Sequence, residues 1–197
     1  MIDFDGLRAV DDVARGLPSL GGLDLPILGG AQLARAPGYS LGDPELTGRA
    51  LLAGGLVDLV YRLKDTRPLL ATEIDFWGAQ LARLAPAGVD FVTHAPSSGK
   101  VAAAEHLATL LARSCAAALG LEMRGVFINQ RPRQNRGGRV AHLREARDNP
   151  YGYAGPGDGS LILCVDDVVF TRSTARRCAA AAAAAGDRLT FAVLYRA

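Results

Sequence analysis

Asp166 and Asp167 stand side by side in the stretch LILCVDDVVFTRSTARR, residues 161–177, behind a run of apolar residues and ahead of a hydroxyl-rich turn. Two adjacent carboxylates at the end of a buried strand are costly unless positive or hydroxyl-bearing groups meet them. The following residues supply such groups: Thr171, Ser173 and Thr174 carry hydroxyls, and Arg172 carries a guanidinium. A helix beginning here aims its first N–H groups at one point, which is an arrangement for anions and for phosphate in particular. The carboxylates beside it suit sugar hydroxyls and a divalent cation. Phosphate, vicinal hydroxyls and a metal together describe a phosphorylated ribose. The plainer alternative is that the acids and hydroxyls simply cap the next helix, stabilising it by about 1 kcal/mol.

Further candidates lie elsewhere. Ser97, Ser98, Gly99 and Lys100 form a small, donor-rich loop suited to pyrophosphate, or a helix-entry turn with Ser98 as its cap. Arg131 and Arg133 begin the basic stretch RPRQNRGGR, which reads as a lid over pyrophosphate or as a solvated loop. His94 ends an apolar run and reads as a hydrogen-bonded loop histidine in preference to a ligand. His106 and His142 have no partner pattern. Cys115, Cys164 and Cys178 lie in apolar or Ala-rich surroundings without metal-ligand spacing, and read as small buried hydrophobes.

The elements that must position these residues alternate. VDFVTH, GVFIN, SLILCVDD and RLTFAVLY read as strands. Helices are expected from Pro44 through the Asp65 region with Asp43 as N-cap, from Pro68 to Pro86, from Lys100 to Leu119 closed by Gly120, and from Ser173 to Ala185. NPYGYAGPGDG is a turn-rich passage with room for one short strand. Strand–helix alternation implies an α/β fold, a mostly parallel Rossmann-like sheet covered on both faces. Ligands of such sheets bind at the carboxyl ends of the strands, where Asp166 and Asp167 fall. Residues 1–48 read as an N-terminal helical or irregular extension or cap, and 49–197 as the main domain. Phe76 and Trp77 are expected in the core.

Composition narrows the class. The chain has 197 residues, 49% hydrophobic and 21% charged, as in ordinary globular domains. A net charge of +2 argues against a dedicated nucleic-acid binder. No apolar run approaches a membrane span, and the acidic N-terminus does not resemble a signal peptide, so a cytoplasmic location is expected.

LILCVDDVVFTRST resembles the phosphoribosyl-pyrophosphate signature of the type I phosphoribosyltransferases, a strand ending in two acids followed by a V-x-T-T-G-x-T loop. VDLVYRLKDTRPLLATEIDFWGAQLARL, with Lys64, resembles the helix–lysine–helix entry of the branch known from competence protein F. VDFVTHAPSSGK resembles its pyrophosphate loop, and the arginines 131 and 133 with EARDN echo its basic hood. The resemblance covers residues 50–197. It implies the type I phosphoribosyltransferase fold, with Asp166 and Asp167 as catalytic residues on the ribose, Thr171, Arg172, Ser173 and Thr174 on the 5-phosphate, and Ser97, Ser98, Gly99, Lys100, Lys64, Arg131 and Arg133 as further substrate-binding residues. It implies Mg²⁺ as well, met by Asp166 and Asp167 through ribose hydroxyls or water. Three departures stand out. Phe170 replaces a threonine, Arg172 replaces a glycine, and the family branch's cysteine-rich N-terminal metal site is absent.

The implied activity is phosphoribosyl transfer, in which a nucleophile displaces pyrophosphate from phosphoribosyl pyrophosphate. Two rivals remain open: a module that binds phosphoribosyl pyrophosphate or a nucleotide without turnover, and a competence-type DNA-uptake accessory. The acceptor is unidentified, nucleic acid and membrane are not expected as partners, and a homodimer is left open.

Overall fold

Strand β6 (Leu161–Val169) is the axis around which the sheet is built. On one side it pairs in parallel with β7 (Arg188–Arg196), from Leu161 opposite Arg188 to Val169 opposite Arg196. On the other it pairs in parallel with the shorter β3 (Phe91–His94), from Phe91 opposite Ile162 to His94 opposite Val165. Strand β2 (Gly48–Ala53) adds in parallel to β7, and β1 (Tyr39–Ser40) closes that edge antiparallel. The five-stranded order is β1-β2-β7-β6-β3. The structure is a computed structural model and describes residues 38–53, 71–96, 106–128, 151–169 and 172–196. The chain divides into two compact units, Met1–Pro37 and Gly38–Ala197, and every described residue belongs to the second.

Alternation along the strands sends side chains to both faces. Ile162 and Cys164 of β6 join Phe91, Phe191 and Val193 in one cluster with Ala175, Cys178 and Ala181 of helix α3 (Ser173–Ala184). The intervening Leu163, Val165, Val92 and Leu194 are just as buried and face the opposite side. There α2 (Leu107–Leu119) lies on β3 and β6, and α1 (Ala71–Ala82) stacks against α2. The protein is therefore an α/β fold with a mostly parallel central sheet flanked by helices. Helix α2 ends as expected at Gly120, in the left-handed conformation at φ 67°. Trp77 is buried, with the half-buried Phe76 edge-on to it at 5.0 Å between ring centroids. No helix among the described residues is long and apolar enough to cross a membrane.

Two readings of the sequence need correction. The stretch expected to be helical from Pro44 contains strand β2, and Asp43 caps no helix: its carboxylate accepts the Glu45 N–H in a local turn. GRALLA is a short apolar run that suits a buried strand as well as a helix, and periodicity alone does not separate them. Tertiary contact decides. Gly48, at φ 140°, lies directly against the backbone of Phe191, where a Cβ has no room. The rest of the expected helix, residues 54–66, lies outside the described residues.

The second correction concerns GVFIN. Its strand β4 (Phe127–Ile128) does not enter the main sheet but pairs antiparallel with β5 (Gly152–Tyr153) in a separate two-stranded sheet. The preceding residues do touch the main sheet: the Val92 N–H donates to Glu122 O and the Arg124 N–H to Val92 O, both at 2.9 Å. The chain runs briefly beside β3 and then leaves.

Candidate functional site

The two aspartates lie within β6 itself, since the strand continues to Val169. They nevertheless stand at a carboxyl edge. The partner strand β3 stops at His94, opposite Val165, and its last link is the Ala95 N–H donating to Val165 O at 2.9 Å. On the other side β7 runs on to Arg196. Asp166 and Asp167 therefore lie where the pairing with one neighbour has ended and the pairing with the other persists. Both are buried, at 7% and 4% exposure. Being consecutive in a strand they project to opposite faces. Asp166 falls on the face of α3, and its Oδ1 accepts the Asp167 N–H at 2.8 Å. Its field reaches the Cys164 and Cys178 thiols, which are pushed up first by burial and further by Asp166, with Cys178 adding at Cys164 and Arg177 opposing at Cys178.

Helix α3 begins close behind. Its N-cap, Arg172, is the one non-glycine residue with positive φ among the described residues, at φ 61° and ψ 0°. That conformation costs an L-residue roughly 1–2 kcal/mol. This is the slot where the resemblance places glycine, and the backbone adopts a glycine-like geometry although the side chain is arginine. Arg172 makes no side-chain cap. The first N–H groups of a helix have no intrahelical acceptor, and the helix dipole makes that end positive. Ser173 and Thr174 are the first residues of α3 and are half-buried. A buried acid pair thus precedes a helix opening at the carboxyl edge of the sheet.

The Arg172 side chain reaches back towards the start of the sheet. Its Nε donates to Leu41 O at 2.8 Å, in the turn between β1 and β2. Arg196 donates from Nη1 to Ser40 O at 2.6 Å, and Arg176 donates from Nε to Asp43 Oδ2 at 2.6 Å. The Arg176 guanidinium holds the Asp43 carboxyl below its ordinary value. Sequence reasoning missed this turn. Reading β2 as helix hid the fact that residues 40–43 approach the start of α3.

His94, half-buried at the end of β3, lies with Nδ1 2.9 Å from Ala95 O, which makes Nδ1 the protonated nitrogen by hydrogen-bond assignment. It is a loop-engaged histidine, as its sequence context suggests. The cysteines are free and buried, and burial pushes the Cys115 thiol up to about 12. Thr171, Ser97, Ser98, Gly99, Lys100, Lys64, Arg131 and Arg133 lie outside the described residues, so of the expected set only Asp166, Asp167, Arg172, Ser173 and Thr174 are among them.

Among the described residues no three carboxylate, histidine or cysteine side chains are grouped to hold a metal. Asp166 and Asp167 diverge to opposite faces and cannot chelate one ion together, whereas magnesium demands octahedral oxygen ligation.

No protein-family model matches the chain, and no curated protein matches it. Among solved structures it is similar to the allosteric regulatory enzyme of purine biosynthesis, with 21% identity over 62% of this chain and a TM-score of 0.44. That match spans 25% of the enzyme's own length. It is similar too to the adenine phosphoribosyltransferases of Leishmania tarentolae and Leishmania donovani, at 13% and 14% identity. Each of these two covers 70% of this chain with a TM-score of 0.41, over 74% and 68% of their own lengths. All three are resemblances of fold.

Proposed function

We propose that the protein binds a phosphorylated ribose at the carboxyl edge of β6, with phosphoribosyl pyrophosphate as the ligand, and transfers ribose 5-phosphate to a nucleophile. One observation carries this reading: buried Asp166 and Asp167 stand just before a left-handed N-cap that opens α3 without a side-chain cap. Asp166, for its part, turns back to the Asp167 N–H within β6.

In the reaction, the bond from ribose C1 to pyrophosphate breaks as the acceptor's lone pair forms a new bond to C1. The transition state is oxocarbenium-like, so catalysis comes from positioning and charge stabilisation, without a covalent enzyme intermediate. An aspartate accepting hydrogen bonds from ribose hydroxyls holds the ring as it flattens. The start of α3, with Ser173 and Thr174, takes the 5-phosphate through N–H and hydroxyl donors. The loop Ser97–Lys100, with Lys64, Arg131 and Arg133, is assigned to the departing pyrophosphate. Magnesium, when bound, would neutralise charge on the pyrophosphate, with Asp166 and Asp167 meeting it through ribose hydroxyls or water.

Calorimetric titration of phosphoribosyl pyrophosphate, with and without magnesium, tests this. Saturable binding that Asp167→Asn weakens at least tenfold, at unchanged thermal midpoint, is the expected result. Failure to bind under either condition would overturn the reading. The same titration followed by pyrophosphate release across candidate acceptors separates an enzyme from a module that only binds.

A further inference from the structure

We propose that Arg172 and Arg196, on either side of Gly42, form a second oxyanion site that takes a phosphate group and is separate from the start of α3. The two arginines come from distant parts of the chain, the N-cap of α3 and the last residue of β7. They meet over one glycine. A Cβ on Gly42 would fall 2.9 Å from Arg172 Nη2 and 3.3 Å from Arg196 Nη1, so the two guanidinium groups can close over position 42 because it has no side chain. Gly42 holds φ 71°, a left-handed turn that a side chain would strain further. It is exposed, so the arginine pair closes over a solvent-facing position.

Charge and donor count favour an anion there. Each guanidinium carries five N–H donors in a fixed fork. Arg172 spends Nε on Leu41 O, and Arg196 spends Nη1 on Ser40 O. Both acceptors are neutral carbonyls. Asp43, the nearby carboxylate, is engaged by Arg176 at 2.6 Å, and Glu45 stands 4.0 Å from the same Arg176 nitrogen. Neither Arg172 nor Arg196 forms an ion pair among the described residues. Arg196 Nε is buried there without an acceptor. Two like charges brought this close repel, and an anion shared between them converts the repulsion into attraction. Forked guanidinium pairs match the tetrahedral oxygens of phosphate, which accept two parallel bonds from each fork. From its left-handed N-cap position Arg172 brings its guanidinium beside Gly42. A glycine there would keep the backbone and lose the site.

The test uses the full chain and inorganic phosphate as probe, following the arginine Nε resonances by NMR at constant ionic strength, with acetate as a comparison. Phosphate is expected to shift the Arg196 and Arg172 signals saturably at concentrations where acetate does not. Arg196→Gln should raise the half-saturating phosphate concentration at Arg172 at least tenfold, and Arg196→Lys by less. If the wild-type Nε signals do not respond, or respond equally to acetate, the site is overturned, and that outcome requires no variant to fold. The result is independent of the ribose reading. Phosphate shifting Arg196 in a protein that never binds phosphoribosyl pyrophosphate would keep this site and remove that function. Phosphoribosyl pyrophosphate bound by a protein whose Arg196 ignores phosphate would do the reverse.

Discussion

The central sheet buries aspartates at both ends, and the two ends treat them differently. At the amino end, Asp187 precedes β7 and accepts the Tyr153 hydroxyl at 2.6 Å, the Gly157 N–H at 2.9 Å and the Gly159 N–H at 3.2 Å. Burial raises its pKa, but these donors outweigh burial and hold the carboxyl below its ordinary range. Its partners all come from one turn, and Tyr153 packs in turn on Phe127 of the small sheet. Asp187 is a clasp. At the carboxyl end, Asp166 and Asp167 sit in a strand whose neighbour has stopped, beside a helix opened by a strained arginine. Burial of an acid therefore does not by itself mark a ligand site. What distinguishes the two ends is that Asp187 is tied to a neighbouring strand end and turn by named donors, whereas Asp166 and Asp167 precede the opening of a helix.

The contrast breaks most sharply under mutation. Asp187→Ala leaves the half-buried Tyr153 hydroxyl and the Gly157 and Gly159 N–H groups without their carboxylate, and should cost about 1–2 kcal/mol of stability by urea unfolding. It should leave ligand affinity within twofold. Asp167→Asn should do the opposite, with at least a tenfold loss of phosphoribosyl pyrophosphate affinity and a stability change below about 1 kcal/mol. If both variants unfold alike, both acids are structural and the distinction fails. Removing the Tyr153 hydroxyl alone, as Tyr153→Phe, should cost about 1 kcal/mol by the same unfolding measurement.

Acid sharpens the comparison further. Because the folded state lowers the Asp187 pKa, its contribution is fully present above about pH 4, the ordinary carboxylate value, and is lost as pH falls through the folded value. The stability gap between wild type and Asp187→Asn should therefore narrow below about pH 4 and be flat between pH 6 and 8. A gap that widens in acid would show that the carboxylate is not the stabilising form. The smallest effect is expected at the thiols. Cys115, Cys164 and Cys178 are buried with raised pKa values, so a thiol reagent at pH 8 should modify them only at the rate of global opening.

Much of the fold was legible because its signals are local. The run LILCV before two acids, the Ala-rich stretch after Ser173 and the glycine ending α2 each report nearby backbone requirements, and each element formed where those signals lie. Short apolar runs were the failure. GRALLA became an inner strand because a buried strand and a buried helix segment look alike until their neighbours are known, and GVFIN formed a strand but paired outside the main sheet, since a strand's pattern does not name its partner. The same limit governed the site. Asp166, Asp167, Ser173 and Thr174 are readable as a linear motif, since a strand, a turn and a helix in succession bring them together along the backbone.

The sequence by itself determined that two carboxylates precede a helix opening, because that proximity is built into consecutive residues. Only the tertiary structure decided that the acids project to opposite faces past the end of β3, that Arg172 keeps a glycine's backbone, and that its guanidinium meets Arg196 over Gly42. Those facts depend on contacts between residues 131 and 156 positions apart along the chain, Leu41 with Arg172 and Ser40 with Arg196, which no local pattern encodes.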